Sequence, residues 1–374
     1  MRDQSVSRTQ SARGSYRAAT APSQPASQLA DLPTQLTYVN DQEPGLTRRQ
    51  AGKAWVFRDP KGKRLSDPRT IQRIKSLAIP PAWTEVWICA TESGHLQATG
   101  RDARGRKQYI YHAQFREHQE NNKYRHMVEF AAALPGLREQ VLRDLKRSAL
   151  PREKVIAAII SLLETTLIRV GNSEYAKKNR SYGITTLRTP HVHLDGNDIR
   201  FRFSGKSGKA WNVSLTDRRI AGIIRACQEL PGQHLFQYTA ADGQAASITS
   251  TDVNRYLQDV TGLNITAKDF RTWAGTVMAA SILHERNAAE GGPKSHVIDT
   301  VKRVAGSLGN TPAICRKCYI HPTILDLFAA GELHLKVRKS RSQKPSLTPV
   351  ESAVLALLKP QRRSRSGQSA SHLS

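Results

Sequence analysis

The sequence has few cysteines, few acidic residues relative to basic ones, and no long apolar run. Its 374 residues include 4 cysteines, too few for a disulfide scaffold, so we expect a reducing compartment. No apolar stretch reaches the roughly 18–20 residues of a membrane-spanning helix, and no signal-peptide core follows Met1. We therefore expect neither a disulfide-rich secreted protein nor a membrane protein, and we expect the chain in the cytoplasm.

The excess of positive charge is the strongest signal in the composition. Lysine and arginine number 57 against 31 aspartates and glutamates, which gives a formal net charge of +26. Such an excess attracts polyanions, and nucleic acid is the commonest of them in a cell. With 39% hydrophobic residues the chain also has enough apolar material for folded cores. At roughly 150 residues per domain, the length predicts two or three domains.

The two ends of the chain differ in composition from its middle. Residues 1–33 are rich in Ser, Gln, Ala and Thr with scattered arginines, which predicts a disordered basic tail. A mitochondrial-type presequence has a similar composition and remains an alternative for this segment. Residues 338–374 combine basic runs with a short apolar segment at 350–358, and we expect a mobile basic C-terminal tail.

Residues 34–115 have the pattern of a small β-rich domain. Short runs of strand length occur at 54–57, 87–90, 96–99 and 108–111, with a helix around 70–77. The last run contains Gln108, Tyr109 and Tyr111 and follows several arginines. Basic side chains contact phosphates, and Gln or Tyr can contact base edges, so this segment is a candidate DNA contact. A solvated charged hairpin would give the same pattern.

Residues 116–337 read as a larger, mainly helical domain that contains a β-meander. The helix after Pro151 is apolar on nearly every side and should be buried, with Arg169 in its last turn. Strands at 191–194, 199–203 and 209–215 form the meander, and Lys206 lies at an exposed hairpin tip. Further helices are predicted at 217–229, 251–260 and 268–283. The fold class is therefore α+β.

Cations recur in this helical domain at positions where they would repel one another. Lys268 and Arg271 share one face of a helix that begins with a capping-box-like Thr266 and Asp269. A phosphate between the two cations would remove the repulsion. Arg169 taken alone is more typical of a structural ion pair. Tyr319 is predicted two turns into the helix that starts at Thr311-Pro312.

These residue types together are suited to attack of a tyrosine hydroxyl on a phosphodiester. Fixed arginines neutralise the charge that develops on the phosphoryl oxygens, and a lysine on a hairpin can protonate the leaving sugar oxygen. No Asp-x-Asp pair occurs in the chain, so the carboxylate-held Mg²⁺ site of many nucleases has no sequence signal. We accordingly expect no metal and no cofactor.

In these motifs the chain resembles the type IB DNA topoisomerases, in their compact bacterial and poxvirus-like branch. The resemblance runs from about residue 38 to 335 and leaves the tails outside it. The matching motifs are Gly105-Arg106-Lys107-Gln108-Tyr109-Ile110-Tyr111, Ile168-Arg169-Val170-Gly171 with Tyr175, Gly205-Lys206, Lys268-Asp269-Phe270-Arg271-Thr272, and Leu308-Gly309-Asn310-Thr311-Pro312 followed by Tyr319.

The resemblance implies a role for each matched residue. Tyr319 would be the nucleophile that forms a 3′-phosphotyrosyl link and frees a 5′-hydroxyl. Arg169 and Arg271 would hold the scissile phosphate. Lys206 would protonate the leaving 5′ oxygen, and Lys268 would assist that proton transfer.

Further matched positions would contact the DNA. Asn310 stands where many members carry a histidine that donates to a phosphoryl oxygen; an amide can donate the same hydrogen bond but cannot act as an acid or base. Tyr175 matches a phosphate-contacting tyrosine. Gln108, Tyr109 and Tyr111 match the amino-terminal segment that lies on the DNA.

The same resemblance implies an isomerase that relaxes supercoils of both signs without ATP or metal. Its partner would be double-stranded DNA, held by two domains that act as halves of a clamp. We expect a monomer that makes no membrane contact and is associated with a bacterial nucleoid.

Two other functions are compatible with parts of the pattern. A tyrosine recombinase shares the Arg-Lys-Arg-Tyr chemistry, but usually has His-x-x-Arg where this chain has Lys268-x-x-Arg271, and a helical amino-terminal module. A non-enzymatic DNA-packaging protein would explain the charge, but not the Lys268/Arg271 face or the Gly-Lys hairpin.

Cys315 and Cys318 shortly precede Tyr319, the candidate nucleophile, and His321 follows it closely. A structural zinc site needs four ligands, usually as two spaced pairs, and Cys89 and Cys227 are isolated. We therefore expect these thiols to pack beside Tyr319, and we hypothesise that their oxidation or alkylation lowers activity.

Overall fold

The computed structural model describes residues 32–52, 54–286, 292–338 and 346–359. The basic tail predicted at 1–33 therefore lies almost wholly outside the described residues, as do the basic runs at 339–345 and 360–374. The chain divides into two compact units, Met1–Asn121 and Asn122–Ser374. The sequence had suggested a boundary at 115/116, and the long helix α2 (Ala113–Leu145) continues through both positions.

The first unit is built on an antiparallel sheet with one helix. Its elements are β1 (Leu46–Ala51), β2 (Ala54–Arg58), α1 (Pro68–Ser76), β3 (Thr84–Ile88), β4 (Leu96–Arg101) and β5 (Lys107–Tyr111). The strands lie in the order β2-β1-β3-β4-β5. Asp67 caps α1 by accepting from the Thr70 backbone N–H at 2.8 Å, and Pro68 takes the first helical position. Sequence analysis missed β1, because only Leu46 of that strand is buried.

The second unit is mainly helical, as expected, with a β-meander and a short hairpin. After α2 come α3 (Arg152–Thr166), α4 (Ser173–Asn179), β6 (Val192–Asp195), β7 (Asp198–Ser204), β8 (Ala210–Thr216), α5 (Arg218–Glu229), β9 (Gln237–Thr239), β10 (Ala245–Ser247), α6 (Ser250–Thr261), α7 (Ala267–His284), α8 (Pro293–Leu308), α9 (Pro312–Cys318), α10 (Pro322–Ala329) and α11 (Pro349–Leu358). The α+β class is confirmed, and among the described residues no helix combines the length and apolarity needed to cross a bilayer.

Helix α3 forms the centre of this unit's core, as its apolar sequence predicted. Its residues from Val155 to Ile160 are all buried. The helix ends at Thr166 because Leu167 takes a left-handed conformation with φ 57°. Arg169 therefore lies beyond the helix and not in its last turn, and the prediction on that point is wrong.

Part of the stretch assigned to the C-terminal tail is folded onto the second unit. Helix α11 packs against α7, and the buried Glu351 at its start pairs with Arg138 of α2 at 2.8 Å. Glu351 Oε1 also accepts a 3.1 Å hydrogen bond from Trp273 Nε1 on α7. Burial acts to raise the pKa of Glu351, but the hydrogen bonds from Arg138, Thr348 and Trp273 and the charge of Arg138 together outweigh it and hold the pKa below its usual value.

Candidate active site

Tyr319 lies at the carboxyl end of α9. Thr311 Oγ1 caps the start of this helix by accepting from Ile314 N–H at 3.4 Å, and Pro312 occupies its first position. The helix ends at Cys318, so Tyr319 is the capping residue and not a residue of the helix interior as predicted. Its backbone N–H donates to the Cys315 carbonyl at 2.9 Å. Tyr319 is half-buried, and its position therefore depends on what packs against this cap.

Helix α7 supports the backbone of Tyr319 through a glycine and a threonine. A methyl group at Gly275 would lie 2.6 Å from the Tyr319 carbonyl oxygen, so only glycine allows this approach. Thr276 Oγ1 donates to that same carbonyl at 3.4 Å and accepts from the His321 N–H at 3.0 Å. Both residues escaped sequence analysis; a glycine inside an otherwise regular helix was the available signal.

Arg271, also on α7, lies against the ring of Tyr319. Its guanidinium carbon is 5.3 Å from the ring centroid, and only 3% of the residue is exposed. Its amino groups donate to two backbone carbonyls, that of Leu167 and, at 2.5 Å, that of Leu308. These carbonyls lie at the ends of α3 and α8, where the helix itself supplies no partner for them. Its Nε is buried without a hydrogen-bond partner.

The electrostatics of Arg271 indicate a cation that is held in place but not neutralised. Burial, with repulsion from Arg169, lowers the pKa of Arg271 to about 10, while Tyr319 acts in the opposite direction. Neither arginine forms an ion pair within the part of the chain that the structure describes. A buried and a half-buried cation that lie side by side without a carboxylate favour binding of an anion.

Arg169 approaches the same site from the segment after α3. Its guanidinium donates to the Gly309 carbonyl at 3.3 Å and to Asn310 Oδ1. Burial lowers the pKa of Arg169, and an attractive interaction with Tyr319 opposes that shift. The structure thus brings Arg169, Arg271, Asn310 and Tyr319 together, as the motifs predicted.

Asn310 has a donor free for a ligand. Helix α8 ends at Gly309, whose φ of 61° is left-handed, and Asn310 N–H donates to the Ala305 carbonyl at 2.9 Å. Because Asn310 Oδ1 accepts from Arg169, the amide nitrogen faces away from the arginine. That nitrogen is buried and has no partner. It can donate to an oxygen of a bound phosphoryl group.

The two predicted lysines are exposed. Lys206 occupies the tip of the β7–β8 hairpin, in a turn that Gly205 N–H closes on the Lys209 carbonyl at 2.8 Å. Lys268 lies in the first turn of α7, three residues before Arg271. No hydrogen bond between described residues joins either lysine to Tyr319.

The predicted DNA-contacting residues are found on both units. Tyr175, on α4, is 44% exposed. In the first unit Tyr109 is 48% exposed and stacks on Tyr111, with ring centroids 6.0 Å apart and planes at 9°. Gln108 Nε2 donates to Asp102 Oδ2 at 2.9 Å. Tyr109 and Tyr111 also line a cavity of about 460 Å³ with Lys107.

All four cysteines are free thiols. Cys315 is buried, and burial raises its pKa to about 11 despite the opposing charge of Arg271. Cys318 is half-buried. Within the described ranges no three His, Cys, Asp or Glu side chains are placed to hold a metal ion together.

Comparison with known proteins gives matches over both units. The family model of the eukaryotic DNA topoisomerase I catalytic core matches residues 112–344, and that of the bacterial DNA topoisomerase IB N-terminal domain matches residues 54–102. DNA topoisomerase 1B of Acanthamoeba polyphaga mimivirus is 29% identical over 293 residues, covering 76% of this chain and 87% of the relative.

A poxvirus relative and one solved structure give weaker matches. DNA topoisomerase 1B of Vaccinia virus (strain Western Reserve) is 22% identical over 231 residues, 61% of this chain and 71% of the relative. The pre-cleavage complex of the XerH site-specific recombinase with its difH substrate is 16% identical, with a TM-score of 0.31, over 49% of this chain and 48% of that one.

Proposed function

The chain belongs to the DNA topoisomerase I family and is a type IB enzyme, and from this premise we propose how its residues cleave and rejoin one strand of double-stranded DNA. The observation that carries the proposal is the convergence of Arg169, Arg271 and Asn310 at Tyr319, with Arg271 centred 5.3 Å from the ring. These groups present positive charge and a free amide donor beside a phenol.

In the cleavage step Tyr319 Oη attacks the scissile phosphorus. The Oη–P bond forms, the bond from phosphorus to the 5′ oxygen breaks, and a 3′-phosphotyrosyl diester remains on the enzyme. The phenol proton passes to solvent water, and the departing 5′ oxygen gains a proton from Lys206. An ordinary tyrosine has a pKa of about 10, so the guanidiniums of Arg169 and Arg271 assist by stabilising negative charge at the phenol oxygen.

Arg169, Arg271 and Asn310 bind the phosphoryl oxygens as charge develops on them. Arginine is suited to this task because its planar fork can hold two oxygens and stays protonated at neutral pH. Even with a pKa of about 10, Arg271 remains a cation at pH 7. The amide nitrogen of Asn310 supplies a further hydrogen bond from a fixed, buried position.

Lys206 donates the proton that the 5′ oxygen takes up, and Lys268 assists that transfer. Lys206 is exposed at the hairpin tip, so its side chain is available to bound DNA. Rejoining reverses the step: the 5′-hydroxyl attacks the phosphotyrosyl diester. Because that diester retains the energy of the broken bond, rejoining needs no ATP.

Rotation of the free duplex end between cleavage and rejoining relaxes supercoils of either sign. Tyr175 contributes to the DNA surface of the second unit, and Gln108, Tyr109 and Tyr111 to that of the first. The enzyme is proposed to act as a monomer.

The test compares wild type with Tyr319→Phe on supercoiled plasmid, in EDTA and without ATP. Wild type should relax plasmids of both signs and form a covalent protein–DNA adduct. The phenylalanine variant should bind DNA but give neither product. An adduct at normal yield with Tyr319→Phe would place the nucleophile elsewhere. No relaxation by wild type would favour a recombinase that needs a specific site, or a binding protein.

A further inference from the structure

Trp211 lies between the Lys206 hairpin and the turn that carries Asn310. It is the second residue of β8, directly after the hairpin turn, and is 9% exposed. A methyl group at Gly205 would lie 2.6 Å from its Nε1 and 2.7 Å from its Cδ1. A methyl group at Gly309 would lie 2.7 Å from its Cζ2. One indole therefore packs closely against two glycines that are distant in sequence.

Each glycine allows the indole to approach its backbone. At Gly205 the conformation is one that other residues adopt, so the requirement for glycine there is the space taken by the ring. At Gly309 the left-handed φ of 61° adds a second reason. The ring is also supported by Phe203 of β7, which stacks on it with centroids 6.1 Å apart and planes at 2°. The indole thus packs against Gly205, Gly309 and Phe203.

Through Trp211 the Lys206 hairpin contacts the turn that carries Asn310. Gly205 immediately precedes Lys206, and Gly309 immediately precedes Asn310. The Gly309 carbonyl also accepts from Arg169 at 3.3 Å. Hydrogen bonds close the turn itself, and Tyr182 N–H donates to the Ser204 carbonyl at 2.8 Å just before it. The indole adds a contact that joins the residue before Lys206 to the residue before Asn310.

We propose that Trp211 is a positioning residue that holds the Lys206 hairpin at a fixed distance from the Gly309–Asn310 turn, so that Lys206 reaches the leaving 5′ oxygen. The inference rests on the proposed acid role of Lys206. Trp211 contacts no reacting atom. Its loss should therefore impair proton donation much more than DNA binding or the attack by Tyr319.

The test uses a duplex that contains a cleavage site mapped on plasmid DNA, with either oxygen or sulfur as the 5′ bridging atom. A thiol has a pKa of about 8.5, so the sulfur leaves as an anion without an acid. On the oxygen duplex Lys206→Ala should lose about 10²–10⁴-fold in cleavage rate. Trp211→Ala should lose up to about 10²-fold, the effect expected of a misplacement of roughly 1 Å. On the sulfur duplex both variants should cleave near the wild-type rate.

The matched control is Leu215→Ala, a truncation on the same face of β8 at the end away from the turn. It should affect the two duplexes equally. The conservative Trp211→Phe should retain more activity than Trp211→Ala on the oxygen duplex. If Trp211→Ala does not fold, Gly205→Ala forces the turn away from the ring and should show the same sulfur rescue.

Several outcomes would overturn the proposal. Wild-type cleavage of the oxygen duplex by Trp211→Ala would do so, as would equal slowing on both duplexes. If sulfur fails to rescue Lys206→Ala, the acid role itself is wrong and the positioning role is lost with it. In that case Tyr319→Phe still tests the nucleophile separately.

Discussion

Replacing Gly275 with alanine should uncouple the stability of the enzyme from its activity. The new methyl group would lie 2.6 Å from the Tyr319 carbonyl oxygen, 3.3 Å from Tyr319 Cβ and 3.2 Å from Leu308 Cδ1. To reach an ordinary contact distance of 3.4 Å, α7 and the Tyr319 cap must separate by roughly 0.8 Å. The carbonyl is backbone, so the displacement moves Tyr319, the proposed nucleophile, together with it.

For this substitution, a gain in helix propensity offsets part of the overpacking cost in the free energy of unfolding. Nothing offsets the misplacement of Tyr319 in the cleavage rate. Alanine is favoured over glycine inside a helix by about 1 kcal/mol, whereas overpacking costs about 1–3 kcal/mol. The free energy of unfolding should therefore fall by at most about 2 kcal/mol. A misplacement of roughly 1 Å at a reacting group costs about 10²-fold in rate, so covalent adduct formation should slow by that factor.

The assay measures the single-turnover rate of adduct formation beside DNA affinity and thermal unfolding. Gly222→Ala on α5 is the matched control, because no heavy atom lies within 4 Å of the position its methyl group would take. That variant should gain stability and cleave at the wild-type rate. If Gly275→Ala also gains stability and cleaves normally, the close approach of α7 does not position Tyr319.

Further outcomes follow from the same site and its support. Asn310→Ala should slow cleavage by about 10²–10³-fold, the usual loss for one donor to a developing oxyanion, and Asn310→His should restore much of it; an unchanged single-turnover rate would contradict the donor role. Glu351→Gln should lower the free energy of unfolding at pH 7 by about 2 kcal/mol in denaturant titrations, because a charged hydrogen-bond acceptor is lost. The folded-state pKa of Glu351 is depressed, so its contribution is complete above the unfolded-state value of about 4.3 and is lost as the pH falls through the folded-state value. A pH profile of stability with the same slope in both proteins would show that Glu351 does not carry this effect. Cys318 should be alkylated before Cys315, whose pKa is about 11, and activity should fall as Cys315 reacts; full activity with both thiols modified, as counted by mass spectrometry, would contradict crowding at Tyr319.

Local patterns in the sequence were enough to predict the elements that carry the site. The capping box at Thr266 and Asp269 is present, so Lys268 and Arg271 fall in the first turns of α7 as expected. The stop at Leu308-Gly309 and the start at Thr311-Pro312 are also confirmed. These signals are short-range, and the backbone chemistry that produces them lies within a few residues.

Features that depend on packing between distant segments had no such signal. The left-handed Leu167 ends α3 before Arg169, although apolar residues continue through Leu167 and Ile168. The contact of Trp211 with Gly309 joins a strand to a helix end far along the chain. The apolar run at 350–358 gave no indication of where it docks, because its main polar partner, Arg138, lies more than two hundred residues earlier.

Two arginines of the second unit are held in different ways, Arg138 by carboxylates and Arg271 by backbone carbonyls. Arg138 is paired with Glu164 and Glu351 at 2.5 and 2.8 Å, and these partners outweigh burial and raise its pKa. Arg271 is buried at least as deeply but is held by backbone carbonyls, and its pKa is lowered to about 10. Carbonyls fix the direction of a guanidinium and leave its charge largely uncompensated, whereas a carboxylate would already occupy the place of the phosphate. Beside Tyr319 the unpaired charge of Arg271 would find its counter-charge in the scissile phosphate.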